Sequence, residues 1–116
     1  MITIENITYS VVNGQREFII DIFDNSANTS AVIGLPRGKW DYSTVVNTLI
    51  RSKYSQDSVE ALVNNHLLAM SEWQDKIFAG ENPGRFEDPE YNELQQWRAT
   101  SKQLATQIIE EINKIN

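Results

Sequence analysis

Residues 7–23 read Ile-Thr-Tyr-Ser-Val-Val-Asn-Gly-Gln-Arg-Glu-Phe-Ile-Ile-Asp-Ile-Phe, and the Asn13-Gly14 pair in the middle decides how the chain begins to fold. Asn-Gly between two apolar runs signals a two-residue type I′ turn, because both central residues of that turn need positive φ. Such a turn pairs Tyr9 with Phe18, Ile7 with Ile20, Val11 with Arg16 and Glu5 with Ile22. Cross-strand partners share a face, so Ile7, Tyr9, Val11, Phe18, Ile20 and Ile22 form one apolar surface, while Thr8, Ser10, Val12, Gln15 and Glu17 fall on the other. A slip of one residue would scramble that separation, so turn and pattern specify the same register. The reading predicts strands over Ile2–Val12 and Gln15–Asp24. Ile2 and Ile4 are out of phase with Ile7, which predicts a bulge or bend near Glu5-Asn6.

Beyond the hairpin, residues 24–30 (DNSANTS) form a polar connection, and residues 31–35 (AVIGL) offer a third strand. Two strands alone are marginal in water, although Gly34 weakens the case for a third. Pro36-Arg37-Gly38-Lys39 reads as a turn, and three helices follow. The first spans Tyr42–Tyr54, capped by Asp41 or Ser43, with Val45, Val46, Leu49 and Ile50 on its apolar stripe. Ser55 caps the second, Gln56–Ala79, and it is the one break between the two, so separate helices and a single kinked rod both remain open. The second helix has an apolar face of Val59, Leu62, Val63, His66, Leu67, Met70, Trp73 and Ile77, and Gly80 provides its stop. After a linker over residues 81–88 (ENPGRFED), Asp88-Pro89-Glu90 makes a well-formed helix start. The third helix runs to Ile115, about 39 Å at 1.5 Å per residue. Its stripe is Leu94, Trp97, Ser101, Leu104, Ala105, Ile108, Ile112 and Ile115. A helix this long can overrun a small domain, and its end is then free to pair with another chain. The fold class expected is α+β, one domain over residues 1–116: an antiparallel hairpin region (1–35), with room for a third strand, packed on helices at 41–80 and 88–116.

Composition limits function. The 116 residues suit one domain, and 41% apolar content argues against disorder. A formal charge of −6 disfavours broad affinity for nucleic acid or anionic membranes. With no cysteine there is no disulfide, thiolate chemistry or cysteine-ligated zinc. No apolar run is long enough for a membrane span, and the N-terminus lacks signal-peptide character, so a cytoplasmic or particle-associated protein is expected. Charge is polarised along the chain. Arg37, Lys39, Arg51 and Lys53 face only Asp41 over residues 37–53, a net +3; seven acids face Lys76 and Arg85 over residues 72–93, a net −5. Two such poles can steer a partner, let copies meet head to tail, or simply be two solvated surfaces.

Few residues suggest chemistry. Trp40, between Lys39 and Asp41, could stack a base or anchor an interface. If Asp41 caps the first helix, Trp40 instead occupies the hydrophobic-staple position opposite Val45. His66, the one histidine, lies among Leu62 and Met70 and reads as a packed histidine rather than a base. Glu87, Asp88, Glu90 and Glu93 could hold a divalent cation, but acids at a helix start are already explained by free N–H groups and the dipole. Phe86, apolar in a polar linker, either tucks under or waits for a partner. There is no P-loop, G-x-G-x-x-G, H-E-x-x-H or nucleophile elbow.

Residues 49–65 (LIRSKYSQDSVEALVNN) and 90–102 (EYNELQQWRATSK), about a quarter of the chain, carry a family likeness. Together they resemble small proteins of gut Bacteroidetes and their phages or prophages, in which an LIRxKYS segment precedes a helix and an EYxxLQxWR helix comes later. The resemblance implies a phage-related setting, in a particle or its assembly; it implies no activity, cofactor or catalytic residue.

The sequence thus favours a non-enzymatic protein that binds another protein or itself, without cofactor or metal, through the third helix or an exposed hairpin edge. Arg37, Lys39, Trp40, Arg51, Lys53 and Phe86 are the candidate contact residues. The alternatives are a nucleic-acid-binding regulator using residues 37–53, which needs its cations on one face, and a small enzyme built around His66.

Overall fold

The structure, a computed structural model, describes residues 2–115. Three antiparallel strands, β1 (Ile2–Val12), β2 (Gln15–Asp24) and β3 (Thr29–Gly34), are followed by three helices, α1 (Tyr42–Lys53), α2 (Gln56–Phe78) and α3 (Pro89–Ile115). The protein has an α+β fold. Asn13 and Gly14 both have positive φ, 54° and 78°, as the type I′ turn requires. Tyr9 pairs with Phe18, Ile7 with Ile20 and Val11 with Arg16, as the turn dictates. The ladder shifts between Ile4 and Asn6, so Ile4, not Glu5, pairs with Ile22. The bulge leaves Glu5 unpaired and returns Ile2 and Ile4 to the face of Ile7.

Strand order is β1-β2-β3, so β2 is central and β1 and β3 are edges. Asp24 accepts from the Ser26 amide (3.0 Å) to start the β2–β3 turn. The ladder continues past Gly34, with the Leu35 amide on the Phe18 carbonyl at 2.9 Å, and so carries Leu35 into the core.

The core lies between one face of the sheet and two of the helices. Phe18, Ile20, Ile22, Ile33 and Leu35 meet Val45, Val46 and Leu49 of α1 and Trp97, Leu104, Ala105, Ile108 and Ile112 of α3. Each large apolar side chain so buried contributes about 1.5–3 kcal/mol. The predicted stripe of α3 is buried from Leu94 to Ile112, so the far end of this helix is consumed by its own core. The helix therefore does not overrun the core before Ile112, and of its predicted stripe Ile115 alone is exposed. The step from Ile108 to Ile112 is the ordinary four-residue interval of a helix packing on a sheet. Trp97 also ties α3 to α1, its indole N–H donating to the Leu49 carbonyl (3.0 Å) with Lys53 Nζ 5.1 Å from the ring centroid.

Ser101 sits on the buried face of α3, fully enclosed, with no hydrogen-bond partner for its hydroxyl. A small residue suits a close helix crossing, but the unpaired hydroxyl costs free energy that a methyl group would not. Ser101→Ala is therefore expected to raise stability by about 1 kcal/mol, also gaining helix propensity. A fall in the thermal midpoint would show that the hydroxyl does find a partner.

Tyr54 and Ser55 are extended (φ −128°, ψ 127° and φ −67°, ψ 162°), so α1 and α2 are separate helices. Burial first, and the Glu93 carboxylate second, push the Tyr54 phenol above its ordinary 10.0. A folded-state value above the unfolded one means that this contribution to stability is complete below pH 10 and is lost as pH rises through the folded value. Denaturant midpoints measured across that range should fall less steeply in Tyr54→Phe than in the parent; equal slopes would remove Tyr54 from the account.

Candidate functional site

No residue of α2 is buried and none belongs to the core cluster. The helix has a sound start and stop. The Ser55 hydroxyl accepts from the Ser58 amide (3.1 Å), and at the other end Gly80 (φ 83°) closes a Schellman motif through Gly80 N to Ile77 O (3.0 Å) and Glu81 N to Lys76 O (2.9 Å). What it lacks is a partner along its second half. Its first half runs beside the opening turns of α3, where Tyr54, Ser58 and Leu62 share a cleft with Glu90 and Glu93. α3 begins at the level of His66, and beyond that residue α2 continues for about 18 Å as an arm. The molecule is correspondingly elongated, 64 × 29 × 19 Å.

The arm is braced by the linker that returns along it. The Trp73 indole donates to the Gly84 carbonyl (2.9 Å), and the Phe86 ring lies 5.8 Å from Trp73 and 5.5 Å, edge-on, from His66. His66 stacks on Tyr91 with ring centroids 3.6 Å apart and 11° between planes. His66 Nδ1 lies 3.0 Å from Asp88 Oδ2, while Asp88 Oδ1 accepts from the Tyr91 amide (3.2 Å) as the cap of α3. A carboxylate can only accept, so Nδ1 carries the hydrogen. One carboxylate thus starts α3 and locks α2 to it. Phe86 tucks under, and His66 is part of an aromatic brace. Sequence reasoning missed the His66–Asp88 pair, which spans 22 positions. The available signal was a single polar ring on an apolar stripe, which needs a partner, and an acid already placed at the next helix cap.

The arm leaves two pairs of large apolar side chains uncovered, Leu67-Leu68 near its root and Ile77-Phe78 at its tip, with exposed Ser71, Gln74 and Asp75 between them. Leu67 is 59% exposed, Leu68 60% and Phe78 88%, with Ile77 also exposed. Glu72 and Asp75 lie between the two pairs and Glu81 follows the second, with Lys76 the cation among them.

The basic candidates are not gathered into one patch. Arg37, Lys39 and Trp40 lie before the first turn of α1, and Arg51 and Lys53 lie in its last turn, about 15 Å further along the axis. Most are also engaged within the chain: Arg37 with Glu17 (3.5 Å), Arg51 with Gln56 (2.9 Å) and Lys53 over Trp97. Asp41 is the cap of α1, accepting from the Thr44 amide and hydroxyl, bonds that hold its carboxyl below the ordinary 3.8. Trp40 therefore takes the position before the cap, and its half-buried ring meets Phe18 in a T-shaped contact at 5.4 Å. It closes the open end of the core and is not a free stacking platform. A groove of about 680 Å³ between the first half of β1 and the last turns of α3 includes none of these residues.

Comparison with protein-family models, with curated proteins and with solved structures returns no match. Among the described residues, no helix is long and apolar enough to cross a membrane.

Proposed function

We propose that this chain is a non-enzymatic interaction or assembly protein that binds a protein partner through the α2 arm. The observation that carries this reading is two pairs of exposed apolar side chains, Leu67-Leu68 and Ile77-Phe78, held in water on a braced helix that the core does not use. Isolated exposed leucines are ordinary; adjacent pairs of large apolar residues repeated on one projecting element, with charged residues between them, are how binding surfaces look. The brace adds to the argument, because a preordered helix loses less entropy on docking. The likeness of residues 49–65 and 90–102 to proteins of gut Bacteroidetes and their phages supports a phage-related setting. The nucleic-acid reading has less behind it, since its cations lie at both ends of α1 and most already have partners.

The test is affinity capture from lysate of the source organism, with nuclease added, comparing the parent with Leu68→Glu/Phe78→Glu. Both side chains are exposed, so the double variant should change stability by no more than about 0.5 kcal/mol per site. A protein recovered by the parent and lost from the variant is the expected result. Equal recovery by both, or recovery from the parent that vanishes with nuclease, would contradict it.

A further inference from the structure

The β1–β2 turn and the arm lie at opposite ends of the molecule. The turn sits beside the start of α1, where the Gly38 amide donates to the Arg16 carbonyl (3.0 Å). The arm leaves from the end of α1 and runs outward past the first turns of α3, whose later turns form the body. Each end carries an apolar patch of its own. At the turn, Val11 is 62% exposed and Tyr9 nearly half exposed, although both are on the core-facing side of the sheet, next along it from Phe18, which Trp40 meets. Arg16 pairs with Val11 across the strands and lies over the Tyr9 ring at 4.8 Å. The ledge so formed is apolar beside the Arg16 guanidinium, with Lys39 next to Gly38 at its edge, while Arg37 is paired with Glu17. The exposed apolar tip of the arm has acidic neighbours along the chain, Glu72, Asp75 and Glu81 against Lys76.

We infer that the arm's partner is a second copy of this chain, the apolar tip around Phe78 docking on the Tyr9–Val11–Arg16 ledge of the next molecule. The inference rests on the arm being a binding surface, as proposed above. Charge decides between the ways two copies can meet. Arm against arm around a two-fold axis sets acid against acid, whereas arm on ledge sets opposite charges together. Because the two surfaces differ and lie at opposite ends, the contact does not close on itself after two copies, and it builds an open row. Ile77 and Phe78 supply the apolar anchor, with Asp75 one turn before Phe78 and Glu72 one turn before that.

Sedimentation of the full chain over a range of concentrations tests this, together with two variants, Phe78→Asp on the arm and Val11→Asp on the ledge. The parent should form a concentration-dependent ladder of species, and high salt should shift it toward monomer. Each variant alone should be monomeric, with its affinity reduced about tenfold or more. Mixed, the two should give a heterodimer and nothing larger, because each still offers one intact surface. Lys39→Glu, which leaves the sheet untouched, provides a second ledge variant and should weaken the ladder in the same direction. A parent that remains monomeric up to about 1 mM, or a closed dimer that the mixture fails to restore, would overturn the inference. If the parent is monomeric while the arm substitutions still abolish capture of a different protein, the inference falls and the arm's role as a binding surface stands.

Discussion

Removing residues 108–116 should unfold the protein. Ile108 and Ile112 are fully buried against the sheet, in the same cluster as Ile20 and Leu49. Truncating one buried isoleucine to alanine costs about 2–5 kcal/mol, through lost transfer free energy and the cavity left behind. Loss of both side chains, with the last two turns of α3, approaches the 5–15 kcal/mol that is typical of the whole stability of a domain. The sheet would then lack cover along β1, where Ile2, Ile4 and Ile7 pack against the cluster. Circular dichroism of the truncated chain should show lost helix and no cooperative melt, and Ile108→Ala alone should lower the denaturant midpoint by the equivalent of about 3 kcal/mol. A truncated chain that stays folded while losing an oligomer would instead make the end of α3 an assembly element.

The second large effect is expected at Asp88. Its carboxylate caps α3 through the Tyr91 amide and holds His66 Nδ1, so Asp88→Ala removes a cap and leaves a half-buried ring nitrogen unpaired. A lost cap costs about 1 kcal/mol and an unsatisfied donor about 1–3 kcal/mol, so a loss of about 2–3 kcal/mol follows. That cost should be spatially confined. Hydrogen exchange should quicken over residues 67–78 of α2, where the brace is the main support, and change little in β2, whose Phe18, Ile20 and Ile22 are held by the core. His66→Phe keeps a ring against Tyr91 and loses only the hydrogen bond, so it should cost less than Asp88→Ala. In the double variant the two losses should be less than additive, because the pair is removed only once. Uniform acceleration throughout the protein would show that the arm is continuous with the core.

Much of the fold was legible because local rules determined it. Asn13-Gly14 specified the turn, and the turn specified the register as far as Ile7. The phase change at Ile4 announced the bulge, although the pairing of Glu5 with Ile22 ignored the consequence. Along α3, the stripe from Leu94 to Ile112 matched the buried face residue by residue. The placement of α2 was not legible. Periodicity identifies which face of a helix is apolar, and it is silent on whether anything covers that face. Leu67 and Ile77 belonged to an apolar stripe by spacing and are exposed in the structure. The basic residues failed for a different reason. Arg37 and Lys53 look close in sequence, yet the rise of α1 carries them to opposite ends of a rigid rod. His66 and Asp88 had the reverse problem, since they are distant in sequence and meet only because the linker folds back along the arm.

The central claim is that the arm, rather than the β3 edge of the sheet or the end of α3, makes the contact. Incorporating a photo-crosslinking residue at Phe78 and, separately, at Val32 tests it most directly, since both positions are well exposed and apolar and lie on different elements. Irradiation in lysate of the source organism should give a protein adduct, to a second copy or to another chain, from position 78 and none from position 32. Adducts from position 32 with none from position 78 would move the interface to the sheet and contradict the account.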